Sequence, residues 1–139
     1  MNILVIDAQG GGIGRQLVGK LLERIPEADI VAAGTNSMAT NAMIKAGAKK
    51  AATGENAIRY CASQAEIITG PIGILVANAM LGEISPAIAE SVGSSTAPKV
   101  LIPTAHCNTI IAGTKALPVK DSIEDAVDRI VRLYGGEDN

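Results

Sequence analysis

The feature that most constrains the fold is a cluster of glycines that directly follows a short apolar run near the N-terminus. The run at 3–6 (ILVI) is continuous and mostly β-branched, which is typical of a strand buried on both faces of a parallel sheet. An apolar repeat with helical spacing begins at Ile13 and stops before Pro26. A strand, a glycine-rich turn and a helix in this order predict the first unit of a Rossmann-like fold. The cluster itself consists of Gly10, Gly11, Gly12, Ile13 and Gly14.

Strand-like and helix-like patterns alternate along the rest of the chain. Further strands are predicted at 29–33, 50–53, 66–69 and 99–103, with a short one at 109–112. Helices are predicted at 37–46, at 55–63 and at 72–93, the last one broken around Gly82 and Pro86. A final helix follows Asp121, which with Glu124 resembles a capping box. The pattern predicts an α/β, Rossmann-like open and mostly parallel sheet with helices on both faces. We expect one domain over 1–135 and a disordered tail at 136–139.

Composition argues against several classes of protein. The net charge of −2 and a pI near 5.3 give no electrostatic footprint for nucleic acid, and two tyrosines are the only aromatic residues. No apolar run approaches the length of a membrane span. Two cysteines are too few for a disulfide framework or a zinc cluster, so no metal site is predicted. We expect a cytoplasmic protein that binds neither nucleic acid nor membrane.

The glycine cluster lies where a phosphate-binding loop belongs, after a strand and at the start of a helix. The frame G-x-G-x-x-G fails, because Arg15 stands where a glycine or alanine is needed. The segment also resembles the deviant phosphate loop of partition ATPases. Arg15 there replaces the lysine and Gln16 the magnesium-binding hydroxyl, which argues against ATP hydrolysis. A small phosphate-bearing ligand is the predicted partner, and the alternative is that the glycines only allow close packing.

The second predicted strand ends without the acid that usually grips a ribose. The sequence there is Gly34-Thr35-Asn36-Ser37, which makes NAD less favoured. Thr35 and Asn36 are candidates for binding a sugar or a phosphate, although Asn36 and Ser37 are also good helix caps. The glycine cluster still predicts a nucleotide, so the predicted cofactor is NAD(P) or another nucleotide.

The two ends of the predicted sheet differ in chemistry, and ligands of open parallel sheets bind at the carboxyl ends of the strands. That end carries the single histidine and most of the polar residues without an evident structural role. Gly70 and Pro71, after the fourth predicted strand, complete the expected binding residues. The candidates for an acid, base or nucleophile are Asp7, Glu55, His106 and Cys107.

From residue 1 to about 133 the chain resembles a family of short bacterial proteins described as a domain of unknown function. The segments that carry the resemblance are IDAQGGGIG at 6–14, GTN at 34–36, ATGENA at 52–57, GPIG at 70–73, LGEI at 81–84 and CN at 107–108. The resemblance implies a Rossmann-like fold in the bacterial cytoplasm and no particular activity. The N-terminal half is also distantly similar to short-chain dehydrogenases. Their catalytic Tyr-x-x-x-Lys is absent, since Gln64 follows Tyr60 at that spacing.

Three functions remain open. The first is a nucleotide- or dinucleotide-binding module that holds phosphate at the glycine cluster and the sugar near Thr35, Asn36 and Glu55. The second is a small enzyme acting on a phosphorylated metabolite, and the third is a structural subunit without a ligand. The segment 72–80 is apolar nearly all round, so we expect a homo-oligomer in which it is covered.

Overall fold

The computed structural model describes residues 1–104 and 108–137, and over these residues strands alternate with helices. The strands are β1 (Asn2–Asp7), β2 (Asp29–Gly34), β3 (Lys50–Thr53), β4 (Ile67–Pro71) and β5 (Lys99–Ile102). The α-helices are α1 (Gly12–Arg24), α2 (Ser37–Lys45), α3 (Glu55–Gln64), α4 (Pro86–Ser94) and α5 (Val119–Tyr134), and a 3-10 helix spans Ile72–Leu75. None of the described helices is long and apolar enough to cross a membrane.

The five strands form one parallel sheet in the order β3-β2-β1-β4-β5. In the middle of the sheet, Val5 of β1 pairs with Ala32 of β2 on one side and with Thr69 of β4 on the other. The chain order therefore reverses between β1 and β4. In open α/β sheets a crevice for ligands opens at such a reversal, outside the carboxyl ends of the strands.

Each face of the sheet is covered by helices. Ile3 and Val5 belong to a core shared with α1, α2 and α5, whereas Leu4 and Ile6 belong to a second core shared with α3 and α4. This alternation follows from the two-residue period of a strand. Complete burial of each such aliphatic side chain contributes roughly 1.5–3 kcal/mol, so a strand apolar on both faces is stable only between two helical layers. The Rossmann-like architecture predicted from the sequence is confirmed.

Three local predictions are wrong. The segment predicted as a helix at 72–93 is helical only at Ile72–Leu75 and Pro86–Ser94; between them Asn78, Met80 and Gly82 have positive φ, which an α-helix excludes. No strand forms at 109–112, where the side chains are exposed and no strand pairs with the free edge of β5 among the described residues.

The third wrong prediction concerns the start of the last helix. α5 begins at Val119, with Pro118 as its N-cap and no side-chain cap. Asp121 therefore lies in the first turn of the helix and not at its cap, so the predicted capping box with Glu124 does not form. Proline has a fixed φ that is compatible with a helix start, and this places the boundary before the acid.

Candidate functional site

A cleft of about 200 Å³ opens at the carboxyl ends of β1 and β4, where the strand order reverses. β1 delivers Asp7 and the glycine loop to it, and β4 delivers Pro71. The segment before α4 contributes Met80 and the chain after β5 contributes Thr104. The lining residues are Asp7, Ala8, Gln9, Gly10, Gly11, Gly12, Ile13, Pro71, Met80 and Thr104.

Two glycines of the loop are required by packing against α2. Gly11 is the N-cap of α1 and has a φ of 72°, and a Cβ added to it would lie 2.8 Å from Ala39 Cα. A Cβ added to Gly14 would lie 2.6 Å from Met43 Sδ. Contacts this short do not occur between unstrained atoms, so Gly11 and Gly14 allow α1 to approach α2. Close packing against α2 accounts for glycine at these two positions, and their role in binding a ligand stays a prediction.

The other two glycines of the loop are not explained by packing. A Cβ added to Gly10 or Gly12 would have no heavy atom within 4 Å, and neither residue has a positive φ. Both line the cleft. Within the described part of the chain, neither N–H group donates a hydrogen bond to another residue. The absence of side chains therefore leaves open space at Gly10 and Gly12, next to the N-terminus of α1, and the N-terminus of a helix is where anions commonly bind.

The carboxyl group of Asp7 lies on the inner side of the same loop and is only 4% exposed. Its Oδ1 accepts a hydrogen bond from the Ala8 N–H (2.8 Å) and its Oδ2 accepts one from the Gly14 N–H (2.7 Å). Burial raises the pKa of Asp7 above its ordinary value of 3.8, these hydrogen bonds oppose the rise, and the nearby charge of Glu83 adds to it. Asp7 thus binds the Ala8 and Gly14 N–H groups, whereas the N–H groups of Gly10 and Gly12 have no partner among the described residues.

Glu83 joins the three loops at this edge of the sheet. Its Oε1 accepts hydrogen bonds from the Gln9 N–H (2.9 Å), Thr35 Oγ1 (2.7 Å) and Asn36 Nδ2 (2.9 Å). Partial burial raises the pKa of the Glu83 carboxyl, but the three hydrogen bonds outweigh this effect and the resulting pKa lies below the ordinary 4.5. Glu83 is therefore ionised at neutral pH.

Sequence reasoning missed Glu83 as a site residue. The acid stands 74 positions after Gln9 and falls inside a segment that the pattern assigned to a helix. The Leu81-Gly82-Glu83-Ile84 segment was one of those carrying the family resemblance, but nothing in it pointed to Thr35 or Asn36. Only the positive φ values before α4 fold this segment back toward β2.

Only some of the remaining predicted site residues line the cleft. Gly70 is required by the sheet, because an added Cβ would lie 2.2 Å from Ile6 O, whereas Pro71 lines the cleft. Glu55 begins α3 and accepts a hydrogen bond from Ser85 Oγ. Among the described residues it forms no hydrogen bond with Thr35 or Asn36, the residues with which it was predicted to surround a sugar. The catalytic candidates His106 and Cys107 lie outside the described residues.

A wider groove of about 550 Å³ runs between α1 and α2 and shares Gly10 with the cleft. Arg15 and Lys45 give it positive charge, and neither forms an ion pair with another described residue. Among the residues described, no group of three or more His, Cys, Asp or Glu side chains could hold a metal ion. The groove is lined by Gly10, Arg15, Ser37, Met38, Asn41, Ala42 and Lys45.

Residues 2–135 match the family described as Domain of unknown function (DUF3842), and the chain belongs to that family. No curated protein matches the chain. Among solved structures the fold is similar to that of a dodecameric FMN-dependent Ubix-like decarboxylase from Escherichia coli O157:H7. The two share 16% identity with a TM-score of 0.52, over 97% of this chain and 95% of the other.

A second solved structure is the apo saccharopine dehydrogenase (L-Glu forming) from Saccharomyces cerevisiae. It is 15% identical with a TM-score of 0.47, over 90% of this chain but 24% of the enzyme. At these identities only the first likeness carries weight, and it supports the fold.

Proposed function

We propose that this member of the DUF3842 family is a nucleotide-binding module whose glycine loop holds a phosphate group of the ligand at the switch point of the sheet. The observation that carries the proposal is that Gly10 and Gly12 line the cleft although neither packing nor backbone conformation requires glycine there. A side chain at either position would extend toward the space that a phosphate has to enter.

The backbone supplies the donors for that phosphate. The Gly10 and Gly12 N–H groups lie beside the N-terminus of α1, and the dipole of this 13-residue helix favours negative charge at that end. Asp7 has the opposite effect when ionised, but its carboxyl group is directed at Ala8 and Gly14 on the inner side of the loop. The phosphate therefore binds on the outer side, where the donors are free.

The size of the site agrees with a ligand larger than a phosphate ion. Pockets for small molecules usually measure about 300–1,000 Å³, and the cleft of about 200 Å³ is smaller than that. The cleft and the α1–α2 groove of about 550 Å³ meet at Gly10, and together they fall within the usual range. A nucleotide lying across Gly10 would place one end between Pro71 and Met80 and the other beside Arg15.

A thermal melt against NAD(H), NADP(H), FMN, FAD and AMP at millimolar concentration tests the proposal. FMN is included because the similar E. coli decarboxylase is described as FMN-dependent. A ligand at about 100 times its dissociation constant stabilises a protein by roughly 2.7 kcal/mol, which raises the melting temperature by several degrees. We expect at least one of these nucleotides to produce such a rise.

The matched variants are Gly12→Val and Gly19→Val. Both glycines lie on α1 and have open space around an added Cβ, but only Gly12 lines the cleft. Gly12→Val should fold and lose the ligand-induced rise, whereas Gly19→Val should retain it. If no nucleotide shifts the wild-type melt, or if Gly12→Val responds like wild type, the proposal is wrong.

The proposal includes self-association into a homo-oligomer. The similar E. coli decarboxylase is described as dodecameric, and Leu81 and Ile110 of this chain expose 99% and 95% of their surface, so both are available to a second copy. Light scattering coupled to size-exclusion chromatography measures the mass directly. A mass of one chain, 14.2 kDa, at micromolar concentration would contradict this part of the proposal.

A further inference from the structure

The carboxylate of Glu83 lies next to the end of β2, where dinucleotide-binding folds usually carry an acidic residue of the strand end itself. In dinucleotide-binding folds an Asp or Glu at that place accepts hydrogen bonds from the ribose hydroxyls. Here β2 ends at Gly34, and the next three residues carry no carboxylate. Glu83 reaches the same place from the loop before α4, because its carboxylate binds Thr35 and Asn36, the two residues that follow β2.

Only one oxygen of that carboxylate is used within the protein. All three donors, the Gln9 N–H, Thr35 Oγ1 and Asn36 Nδ2, bind Oε1. Oε2 accepts no hydrogen bond from any residue in the described ranges. An ionised carboxylate can only accept hydrogen bonds, so Oε2 is suited to a hydroxyl group and repels a phosphate group.

The surroundings fix this oxygen next to the phosphate loop. Three hydrogen bonds hold the side chain in one position, and Asn36 Nδ2 also donates to Gln9 O over 3.1 Å. Gln9 lines the cleft and Glu83 accepts its N–H, so Glu83 lies directly behind a lining residue although it is not itself one of the lining residues. We expect a ligand whose phosphate binds Gly10 and Gly12 to direct its sugar toward this side of Gln9. A carboxylate that is already oriented loses little conformational entropy on binding a hydroxyl.

We infer that Glu83 is the sugar-binding residue of this protein and that its Oε2 selects nucleotides with free ribose hydroxyls. This inference rests on the proposed nucleotide-binding function and names the sugar that the site accepts. A nucleotide that lacks the 2′-hydroxyl, or that carries a phosphate in its place, should bind more weakly.

Calorimetric titration with two pairs of probes tests the inference. The pairs are NAD⁺ with NADP⁺, and AMP with 2′-deoxy-AMP. Wild type should bind the member with the free hydroxyl about tenfold more tightly in each pair, the effect of one hydrogen bond to a charged group. In Glu83→Gln both ratios should fall toward one. Glu90→Gln is the matched control, because Glu90 is an exposed acid on α4 that lines neither the cleft nor the groove, so its ratios should equal those of wild type.

The outcomes separate this inference from the function on which it rests. If Glu83→Gln weakens both members of each pair equally, Glu83 only holds the loops together; the inference is then wrong while nucleotide binding stands. If wild type prefers NADP⁺, the inference is also wrong, and Arg15 and Lys45 become the residues to change. If none of the four probes binds wild type, the inference is wrong; nucleotide binding is wrong as well only if FMN and FAD also fail to raise the melting temperature. Should Glu83→Gln fail to fold, Glu83→Asp takes its place: it keeps the charge but shortens the side chain, and ratios equal to those of wild type would refute the inference.

Discussion

The Asp7 carboxylate accepts a hydrogen bond from the Gly14 N–H over 2.7 Å, which ties the end of β1 to the first turn of α1. The close approach also leaves little room at Gly14, because an added Cβ would lie 2.9 Å from Asp7 Cβ as well as 2.6 Å from Met43 Sδ. One acid and one glycine thus set the distance between the central strand and the helix that carries the proposed phosphate site.

This relationship predicts that two glycines of one loop respond differently to the same substitution. Gly14→Ala should lower the free energy of unfolding by about 1–3 kcal/mol, because the methyl group overpacks a filled space. Gly12→Ala should leave it unchanged or slightly higher, since nothing lies within 4 Å of the added atom. Urea denaturation of the two variants measures both values. Equal destabilisation would show that both glycines serve packing.

Asp7 should make nucleotide affinity depend on pH. Its pKa is raised above 3.8, so the carboxyl group is neutral below that raised pKa and ionised above it. An ionised Asp7 repels a phosphate at the neighbouring Gly12, and affinity should therefore fall as pH rises through the pKa of Asp7. Titrations of NAD⁺ against wild type and Asp7→Asn over a pH series test this. Asp7→Asn should lack the fall, and identical profiles for the two proteins would refute the assignment.

The ionised Glu83 side chain should stabilise the folded protein at neutral pH, and this contribution should be lost at low pH. Its pKa in the folded protein lies below the ordinary 4.5, so its contribution is complete above pH 4.5 and is lost as pH falls through the lower folded value. The difference in melting temperature between wild type and Glu83→Gln should accordingly shrink below pH 4.5. A difference that stays constant down to pH 3 would show that the charge of Glu83 does not stabilise the fold.

Replacing Thr69 by an apolar residue should stabilise the protein. The residue is fully buried in β4, and its Oγ1 has no hydrogen-bond partner among the described residues. Thr69→Val should raise the free energy of unfolding by about 1 kcal/mol, because valine has nearly the same shape as threonine but lacks the buried hydroxyl group.

Thr40→Val provides the contrast for Thr69. Thr40 is also buried, but its hydroxyl donates to Asn36 O (3.1 Å) and accepts from Thr53 Oγ1 (2.8 Å). The substitution should lower the free energy of unfolding by about 1 kcal/mol. Chemical denaturation of both variants gives the two signs, and a loss of stability in Thr69→Val would mean that its hydroxyl has a role in the native state.

Local residue patterns were sufficient to predict most of the fold. The apolar run at 3–6 requires cover on both faces, and the helical spacing after Ile13 supplies a helix to cover one of them. The glycine cluster at their junction predicts where a ligand would approach, and that part stays a prediction. The helix predicted at 72–93, broken around Gly82 and Pro86, forms only at its two ends. Apolar side chains such as Ile74 and Ile84 are buried, and burial leaves the same apolar pattern whether the backbone is helical or not.

The sequence by itself determined the layers of this protein and the position of its glycine loop, since strand and helix periods and turn residues act over a few neighbouring positions. Only the tertiary structure decided which glycines serve packing, because that depends on how closely α2 approaches Gly11 and Gly14. It also decided which acid stands beside Thr35 and Asn36. Glu83 is held there by the Gln9 N–H, which lies 74 positions earlier in the chain. A hydrogen bond between residues so far apart leaves no periodic pattern in the sequence.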